Sequence, residues 1–117
     1  MEHPDIQRIR HILVYCEDIE ETIQRFGKDS EVFQHDKDYY RSVTMCILQI
    51  GELVGHLTDE FKAAHDKMPW RDIVGMRNRA AHAYSSMDVE FLWKTAINRV
   101  PELKDYCEVI IKENRTI

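Results

Sequence analysis

The stretch PDIQRIRHILVYCEDIEETIQRF, from Pro4 to Phe26, decides the fold class because its apolar residues recur at every third or fourth position. That spacing lines them up along one side of an α-helix and leaves most charged residues on the other side. Pro4 suits the first turn of such a helix, and Gly27 suits its end. The sequence therefore predicts an amphipathic helix over 4–26 that packs against other helices. The residues of its apolar side are Ile6, Ile9, Leu13, Cys16, Ile19, Ile23 and Phe26.

The same helical spacing continues along the rest of the chain, which contains only four Gly and three Pro. It predicts a second long helix from residue 36 or 37 to 57 and a third helix from about 71 to 83. Shorter helical segments are expected at 30–33 and at 58–65. Helices, and no strands, are the elements that this pattern predicts.

The last helical region follows a turn, with Asp88 as its expected N-cap. Its apolar spacing is interrupted at Pro101, so we expect a helix that is broken or kinked there. A chain of 117 residues fits one domain, 1–117, and can bury a core without disulfides. The predicted fold is an all-α antiparallel bundle of four main helices plus short helices.

Gly51 lies inside the second predicted helix, where a glycine costs about 1 kcal/mol relative to alanine. A helix keeps such a glycine more readily where another backbone packs closely against it. We therefore expect a tight helix crossing at Gly51. Its neighbour Glu52 has two interpretations: it belongs to a solvated helix face, or it lines a shared cleft.

The formal net charge of −5 argues against non-specific nucleic-acid binding, which usually requires a basic excess. Any contact with RNA or DNA must then be confined to a local basic pocket. The segment 67–79 is the local exception, since it contains four cations and one acidic residue. These residues are Lys67, Arg71, Arg77 and Arg79, with Asp72.

The three cysteines, Cys16, Cys46 and Cys107, are an odd number and include no Cys-x-x-Cys pair. With no signal peptide, this pattern favours inert buried thiols and a cytoplasmic location. The chain contains no apolar run of the roughly 18 residues that a membrane span needs. We expect no association with a membrane.

Metal and cofactor sites have no motif in this sequence. The six histidines are scattered, without a His-x-x-x-His pair or a Cys–His cluster. Glycine-rich phosphate loops and serine nucleophile elbows are also absent. We therefore predict neither a metal nor a cofactor.

The stretch MRNRAAHAY, residues 76–84, concentrates the side chains that could carry chemistry. Asn78 and His82 are four residues apart and share a helix face, and Arg77 can reach toward them. A guanidinium grips a phosphodiester through two oxygens, while an imidazole moves protons near neutral pH. A salt-bridged arginine and a capping histidine explain the same residues equally well. The residues alone leave both interpretations open.

The wider sequence resembles the HepT-like branch of the HEPN superfamily. The string Arg77-x4-His82-x-Tyr84 is similar to its R-x4-H-x-Y motif, and Ile50-Gly51-Glu52 is similar to part of its second helix. Residues 69–78 (PWRDIVGMRN) resemble the approach to that motif. The resemblance extends over residues 5–112 or so, nearly the whole chain.

The resemblance implies a homodimeric helical bundle with its active cleft at the dimer interface. It implies a metal-independent endoribonuclease toxin of a type VII-like toxin–antitoxin pair, with RNA as its substrate. By position, Arg77 would stabilise the phosphate charge, His82 would be the general acid and base, and Asn78 would orient them. Attack of the ribose 2′-OH would leave a 2′,3′-cyclic phosphate and a 5′-OH.

The resemblance also implies a means of control. The cognate antitoxin in this branch is a minimal nucleotidyltransferase that transfers AMP to the motif tyrosine, here Tyr84, and blocks the cleft. A tyrosine that only packs at a helix end is the alternative. A non-catalytic HEPN module that binds a nucleotide, or docks the nucleotidyltransferase, is the alternative function.

The chain departs from the family between the motif residues. Arg79, Ala80 and Ala81 stand where larger apolar residues are common, and Ala83 replaces a frequent acidic residue. These changes keep the chemical residues but bear on dimer packing and substrate grip. Arg79 has two interpretations, a further phosphate contact within the cleft or a surface charge.

Overall fold

A computed structural model describes residues 2–115, without the side chain of Arg115. Within these residues the chain forms helices joined by short connections and forms no strand, so the predicted all-α fold class is confirmed. Three short helices join the long ones, and a π-helical segment separates the last two α-helices. In chain order the helices are α1 (Pro4–Phe26), α2 (Ser30–His35), α3 (Lys37–Gly55), α4 (Asp59–Ala64), α5 (Trp70–Ser85), α6 (Val89–Lys94), the π segment (Thr95–Arg99) and α7 (Val100–Arg115).

Helices α1 and α3 run antiparallel, as contacts at both of their ends show. At one end the Tyr39 hydroxyl donates a hydrogen bond to the Gly27 carbonyl at 2.9 Å. At the other end the Thr58 backbone N–H donates to the Asp5 carboxylate at 3.1 Å. These two contacts join the start of each helix to the end of the other.

The remaining long helices also pack in antiparallel pairs. Gly51 of α3 lies against Arg77 of α5, and Tyr40 lies near Tyr84, so residue numbers rise along one helix as they fall along the other. The α7 helix packs on α1 and is tied to it by an ion pair of 2.9 Å between Lys104 and Glu20. The buried apolar side chains form one cluster between these helices. The predicted antiparallel bundle is the observed arrangement.

Helix ends lie close to their predicted positions because the capping residues are readable in the sequence. The α1 helix has the predicted bounds, with Pro4 in its first turn. The Asp88 carboxylate accepts a hydrogen bond from the Phe91 N–H at 3.2 Å, as expected of an N-cap. The α3 helix ends at Gly55, two residues before the predicted end, and Leu57 is buried in the turn that follows.

The irregularity expected at Pro101 takes the form of a π turn directly before it. The Val100 N–H bonds to the Thr95 carbonyl, five residues back. Pro101 then occupies the first turn of α7, a position where its lack of an N–H is tolerated. The chain stays helical through Pro101, and the backbone adjusts to the proline in the π turn that precedes it.

The cysteines behave largely as predicted. Cys16 and Cys107 are buried and Cys46 is half-buried. Burial raises the pKa of the Cys107 thiol to about 12 and that of the Cys46 thiol to about 11. Burial also raises the pKa of Cys16. All three thiols are therefore protonated, and poor nucleophiles, near neutral pH.

None of the helices within residues 2–115 combines the length and apolar character that crossing a bilayer requires.

Candidate functional site

The crossing of α3 and α5 confirms the close approach expected at Gly51. A Cβ atom placed on Gly51 would lie 2.2 Å from the Cβ of Arg77 and 2.7 Å from its Cγ. Such distances are far inside van der Waals contact, so only glycine fits while the helices keep this separation. The stem of Arg77 is thereby held against the backbone of α3.

The guanidinium end of Arg77 has polar neighbours but incomplete hydrogen bonding. Its Nε lies 3.6 Å from the Glu52 carboxylate, too far for a hydrogen bond, and this buried atom has no hydrogen-bond partner within residues 2–115. Its Nη1 donates to the Asn78 side-chain carbonyl at 3.3 Å. Glu52 also lies 3.5 Å from His56 Nε2. Arg77 therefore keeps unused donor capacity beside solvent.

His82 and Asn78 lie on the outer face of α5. Both side chains are exposed and are one helical turn apart. The His82 carbonyl accepts hydrogen bonds from the Ser86 N–H at 2.9 Å and from the Ser85 hydroxyl at 3.0 Å, which fixes the end of the helix. Within residues 2–115, no hydrogen bond or ion pair joins Arg77 to His82.

Around α5, successive residues are rotated by about 100°, so Arg77 and His82 point in directions about 140° apart. Arg77 faces α3, whereas His82 faces solvent. Asn78 connects the two: it accepts the bond from Arg77 and shares the outer face with His82. The predicted roles of these three residues remain predictions, and within one chain Arg77 and His82 lie on different sides of α5.

Tyr84 is half-buried at the end of α5 nearest the start of α3. Its ring centroid lies 6.2 Å from that of the buried Tyr40. This contact orients the ring, as the packing interpretation expects, but leaves part of the side chain accessible. Packing and later modification are therefore compatible at this residue.

The four cations of segment 67–79 do not form the single basic pocket that the sequence predicted. Arg77 faces α3, while Arg79 lines a groove on the other side of α5, against α6 and the π segment. Lys67 lines a separate depression near Tyr106. Residues that are close together in sequence can point in different directions in the fold. A count of charges along the sequence does not show which direction each side chain takes.

No group of three or more His, Cys, Asp and Glu side chains comes together as a metal site in the described part of the chain. Glu52 and His56 form a pair on the α3 surface, and both are more than half exposed.

The start of α5 is held in place by an aromatic residue: the Trp70 indole N–H donates a hydrogen bond to the His65 carbonyl at 2.9 Å.

Comparison with protein families identifies the family of this chain. The family model described as ribonuclease HepT-like matches residues 12–110. The chain belongs to the HepT-like family. This classification confirms the resemblance to HEPN proteins and supports a ribonuclease at the level of the family.

Three relatives of this HepT-like chain are similar to it over most of their length. A candidate RNase of Caldanaerobacter subterraneus subsp. tengcongensis is 32% identical over 107 residues, covering 92% of this chain and 94% of the relative. A candidate HepT ribonuclease of Thermococcus cleftensis is 36% identical over 103 residues, covering 84% and 94%. A candidate RNase of Methanocaldococcus jannaschii is 33% identical over 104 residues, covering 87% and 86%. No solved structure matches the chain.

The structure also reveals neighbours of the HepT-like motif that the sequence did not predict. Glu52 is more than half exposed and lies 3.6 Å from Arg77, so it belongs to a solvated face beside the motif, and its place in a shared cleft stays a prediction. The contact between Tyr40 and Tyr84 could have been found by pairing the ends of two antiparallel helices. Lys94 and Arg99, which share the groove of Arg79, had no motif to mark them.

Proposed function

We propose that this chain is a metal-independent endoribonuclease toxin of a type VII-like toxin–antitoxin pair that acts in the cytoplasm. Its membership of the HepT-like family and its relatives named as ribonucleases support the class of reaction. The observation that carries the assignment of residues is the state of Arg77. Its stem is pinned by Gly51, and its buried Nε lacks an acceptor. The side chain as a whole is 42% exposed, so a phosphate oxygen can reach the guanidinium and accept hydrogen bonds from it.

The proposed reaction is an attack of the ribose 2′-OH on the adjacent phosphorus. His82 takes the 2′-OH proton as the O2′–P bond forms, and the P–O5′ bond breaks. The leaving 5′ oxygen receives a proton from the imidazole of a second copy, which leaves a 2′,3′-cyclic phosphate and a 5′-OH. Arg77 stabilises the charge that builds on the phosphate oxygens, and Asn78 orients Arg77 through their hydrogen bond.

A homodimer completes this proposal. Within one chain Arg77 and His82 diverge around α5, so a second copy that brings its own motif residues to this region would surround a phosphate better than one chain does. The exposed positions of Asn78 and His82 leave that face open to a second copy. Sedimentation of the purified protein tests the dimer directly.

The test of catalysis is RNA cleavage in the presence of EDTA. His82→Ala removes an exposed side chain, and Arg77→Gln keeps part of the stem that packs on Gly51, so both variants should fold. We expect each substitution to reduce cleavage by about 100-fold or more, since both groups act on the reacting atoms. The end groups of the products identify the cyclic phosphate.

His11→Ala and Arg25→Gln are matched controls, because both side chains are exposed on α1, away from the motif. They should cleave RNA like the unchanged protein, and thermal melting should show that all four variants are folded. Cleavage that persists undiminished in His82→Ala and Arg77→Gln contradicts the assignment. A folded dimer that leaves RNA intact at every concentration supports the alternative, a non-catalytic partner of a minimal nucleotidyltransferase.

Silencing is proposed to occur by transfer of AMP from ATP to the Tyr84 hydroxyl, with release of pyrophosphate. Tyr84→Phe should keep cleavage within about twofold, since the phenol does not act on the phosphate, and it should resist silencing by a cognate minimal nucleotidyltransferase. Intact-mass spectrometry after co-expression measures the adduct. Tyr40→Phe is the control, because Tyr40 is buried and should leave modification unchanged. An AMP adduct that persists in Tyr84→Phe contradicts the proposal.

A further inference from the structure

A groove of about 300 Å³ lies between α5 and the segment formed by α6 and the π turn. Its α5 side presents Arg79 and the buried Met76. Its other side presents Phe91, Lys94 and Asn98, which follow one another at helical spacing. Arg99 also lines the groove. None of these residues belongs to the family motif.

The charge of the groove is opposite to that of the molecule. Three cations, from Arg79, Lys94 and Arg99, line it in a chain of formal net charge −5. Glu90 lies 3.1 Å from Lys94, but both side chains are about two-thirds exposed, and such pairs are weak. Within residues 2–115, Arg79 and Arg99 form no ion pair with a carboxylate. Two guanidinium groups are therefore free to bind an anion.

The groove adjoins the proposed catalytic face. Arg79 and His82 are three residues apart on α5, a separation that makes side chains neighbours on a helix surface. Arg79 therefore stands at the border between the groove and the face that presents His82. A polyanion bound at His82 has a continuous path into the groove.

The shape of the groove also fits a nucleotide chain. Phe91 is half-buried at its wall, so part of the ring is available for contact with a base. The π turn forms the part of this wall that follows α6, and such turns are frequent at functional sites. Cations that follow a backbone, combined with an aromatic surface, are the features with which proteins bind single strands irrespective of sequence.

We propose that this groove binds single-stranded RNA next to the scissile phosphate, with Arg79 and Arg99 contacting backbone phosphates and Phe91 contacting a base. The inference rests on the proposed function in that it names the path of the same substrate. It assigns Arg79 as a phosphate contact. RNA is favoured over an acidic protein because the aromatic and amide groups of Phe91 and Asn98 accompany the cations.

The experiment separates binding from cleavage by using RNA that cannot be cut. A short fluorescein-labelled 2′-O-methyl RNA lacks the attacking hydroxyl, and fluorescence anisotropy measures its affinity over a series of salt concentrations. Arg79→Gln and Arg99→Gln should each weaken binding by about fivefold. Each should also reduce the magnitude of the slope of log affinity against log salt concentration by about 0.7, the value for one lost phosphate contact on a single strand.

Lys112→Gln is the matched control. It removes one positive charge from an exposed position on α7 and should leave both the affinity and the slope unchanged. Phe91→Leu keeps an apolar side chain in place and should weaken binding of different RNA sequences to a similar degree. Thermal melting identifies any variant that is not folded, and a double variant of Arg79 and Arg99 gives a second measurement of the slope.

The proposal is overturned if Arg79→Gln and Arg99→Gln bind the RNA like Lys112→Gln, with an unchanged salt slope. It is also overturned if they keep RNA affinity and lose binding to the nucleotidyltransferase, which would make the groove a protein surface. Cleavage assays with ordinary RNA distinguish this failure from that of the proposed function. Arg99→Gln should raise KM with little change in kcat, whereas His82→Ala should lower kcat by about 100-fold or more.

Discussion

At the scale of single residues, Arg77 is restrained at one end and unsatisfied at the other. Its Cβ and Cγ pack on the backbone at Gly51, while its Nε is buried without a hydrogen-bond partner within the described residues. A long side chain loses much of its rotamer freedom when its stem is held. A phosphate that binds Arg77 therefore meets a guanidinium that is already positioned.

Within the described residues, Glu52 is the carboxylate paired with this guanidinium, at 3.6 Å from Nε. We predict that Glu52→Gln raises the affinity for 2′-O-methyl RNA by about twofold to fivefold, because the carboxylate competes with phosphate for Arg77. The free energy of unfolding should change by less than about 0.5 kcal/mol, since this ion pair is largely exposed. Anisotropy and urea unfolding measure the two quantities.

Glu17→Gln is the control for that substitution, as it neutralises an exposed carboxylate on α1. It should change neither quantity. Weaker RNA binding in Glu52→Gln would contradict the prediction and would make Glu52 a positioning residue for Arg77.

At the scale of elements, α5 is the helix around which the site is organised. One side of it contacts α3 through Arg77 and Tyr84, another forms a groove with α6 and the π segment, and the outer face presents Asn78 and His82. The orientation of α5 is set by the fit at Gly51. A small change at that crossing therefore moves every side of the site together.

We predict that Gly51→Ala lowers the free energy of unfolding by about 1–3 kcal/mol, because the new Cβ overlaps Arg77 and forces the helices apart. RNA cleavage should fall as well, since Arg77 is displaced. Gly55→Ala is the matched control on the same helix. A Cβ on Gly55 meets no heavy atom within 4 Å, so alanine there should stabilise the fold by up to about 1 kcal/mol. Urea unfolding checks both variants, and equal stabilisation by the two would contradict this account.

Much of the element scale was predictable from the sequence. Apolar spacing predicted the long helices, Asp88 marked a helix start, and Gly51 marked the close crossing. The apolar spacing and the helix start are local features of the sequence, and Gly51 is recognisable because it is small. They can be read without knowing which helix lies opposite.

The rest depended on partners that are distant in sequence. The pairs Glu52–Arg77 and Tyr40–Tyr84 join α3 to α5, and the groove of Arg79 with Lys94 and Arg99 joins α5 to the last helices. Such contacts depend on how the helices are rotated about their axes. The sequence pattern specifies a buried side but not which neighbour each flanking residue meets.

At the scale of the whole molecule, a buried charge links segments 53 residues apart. Asp5 is fully buried in α1 and accepts hydrogen bonds from the Thr58 N–H and hydroxyl, at the start of α4. Burial opposes the charged form, but the hydrogen bonds from Thr58, with His3 and Arg8 nearby, hold the pKa of Asp5 below its ordinary value. The molecule measures 46 × 25 × 22 Å, so this contact secures one end of a long bundle.

The lowered pKa of Asp5 predicts the acid response of the fold. Its contribution to stability is present above the unfolded-state pKa of about 4 and is lost as the pH falls through the lower folded-state pKa. Asp5→Asn should lower the free energy of unfolding by about 2 kcal/mol at pH 7 and flatten its decline below about pH 4. Urea unfolding at several pH values measures this. Asp105→Asn, at an exposed position, should leave the pH profile unchanged, and an Asp5→Asn profile parallel to that of the unchanged protein would contradict the prediction.

The low reactivity of the three cysteine thiols has a practical consequence for labelling. With pKa values of about 11 for Cys46 and about 12 for Cys107, and a raised pKa for Cys16, the native cysteines react slowly with maleimides near neutral pH. A cysteine introduced at the exposed Ser85 can then take a fluorophore selectively, with all native cysteines retained. Energy transfer between two copies labelled at this position would report how the outer faces of α5 approach one another.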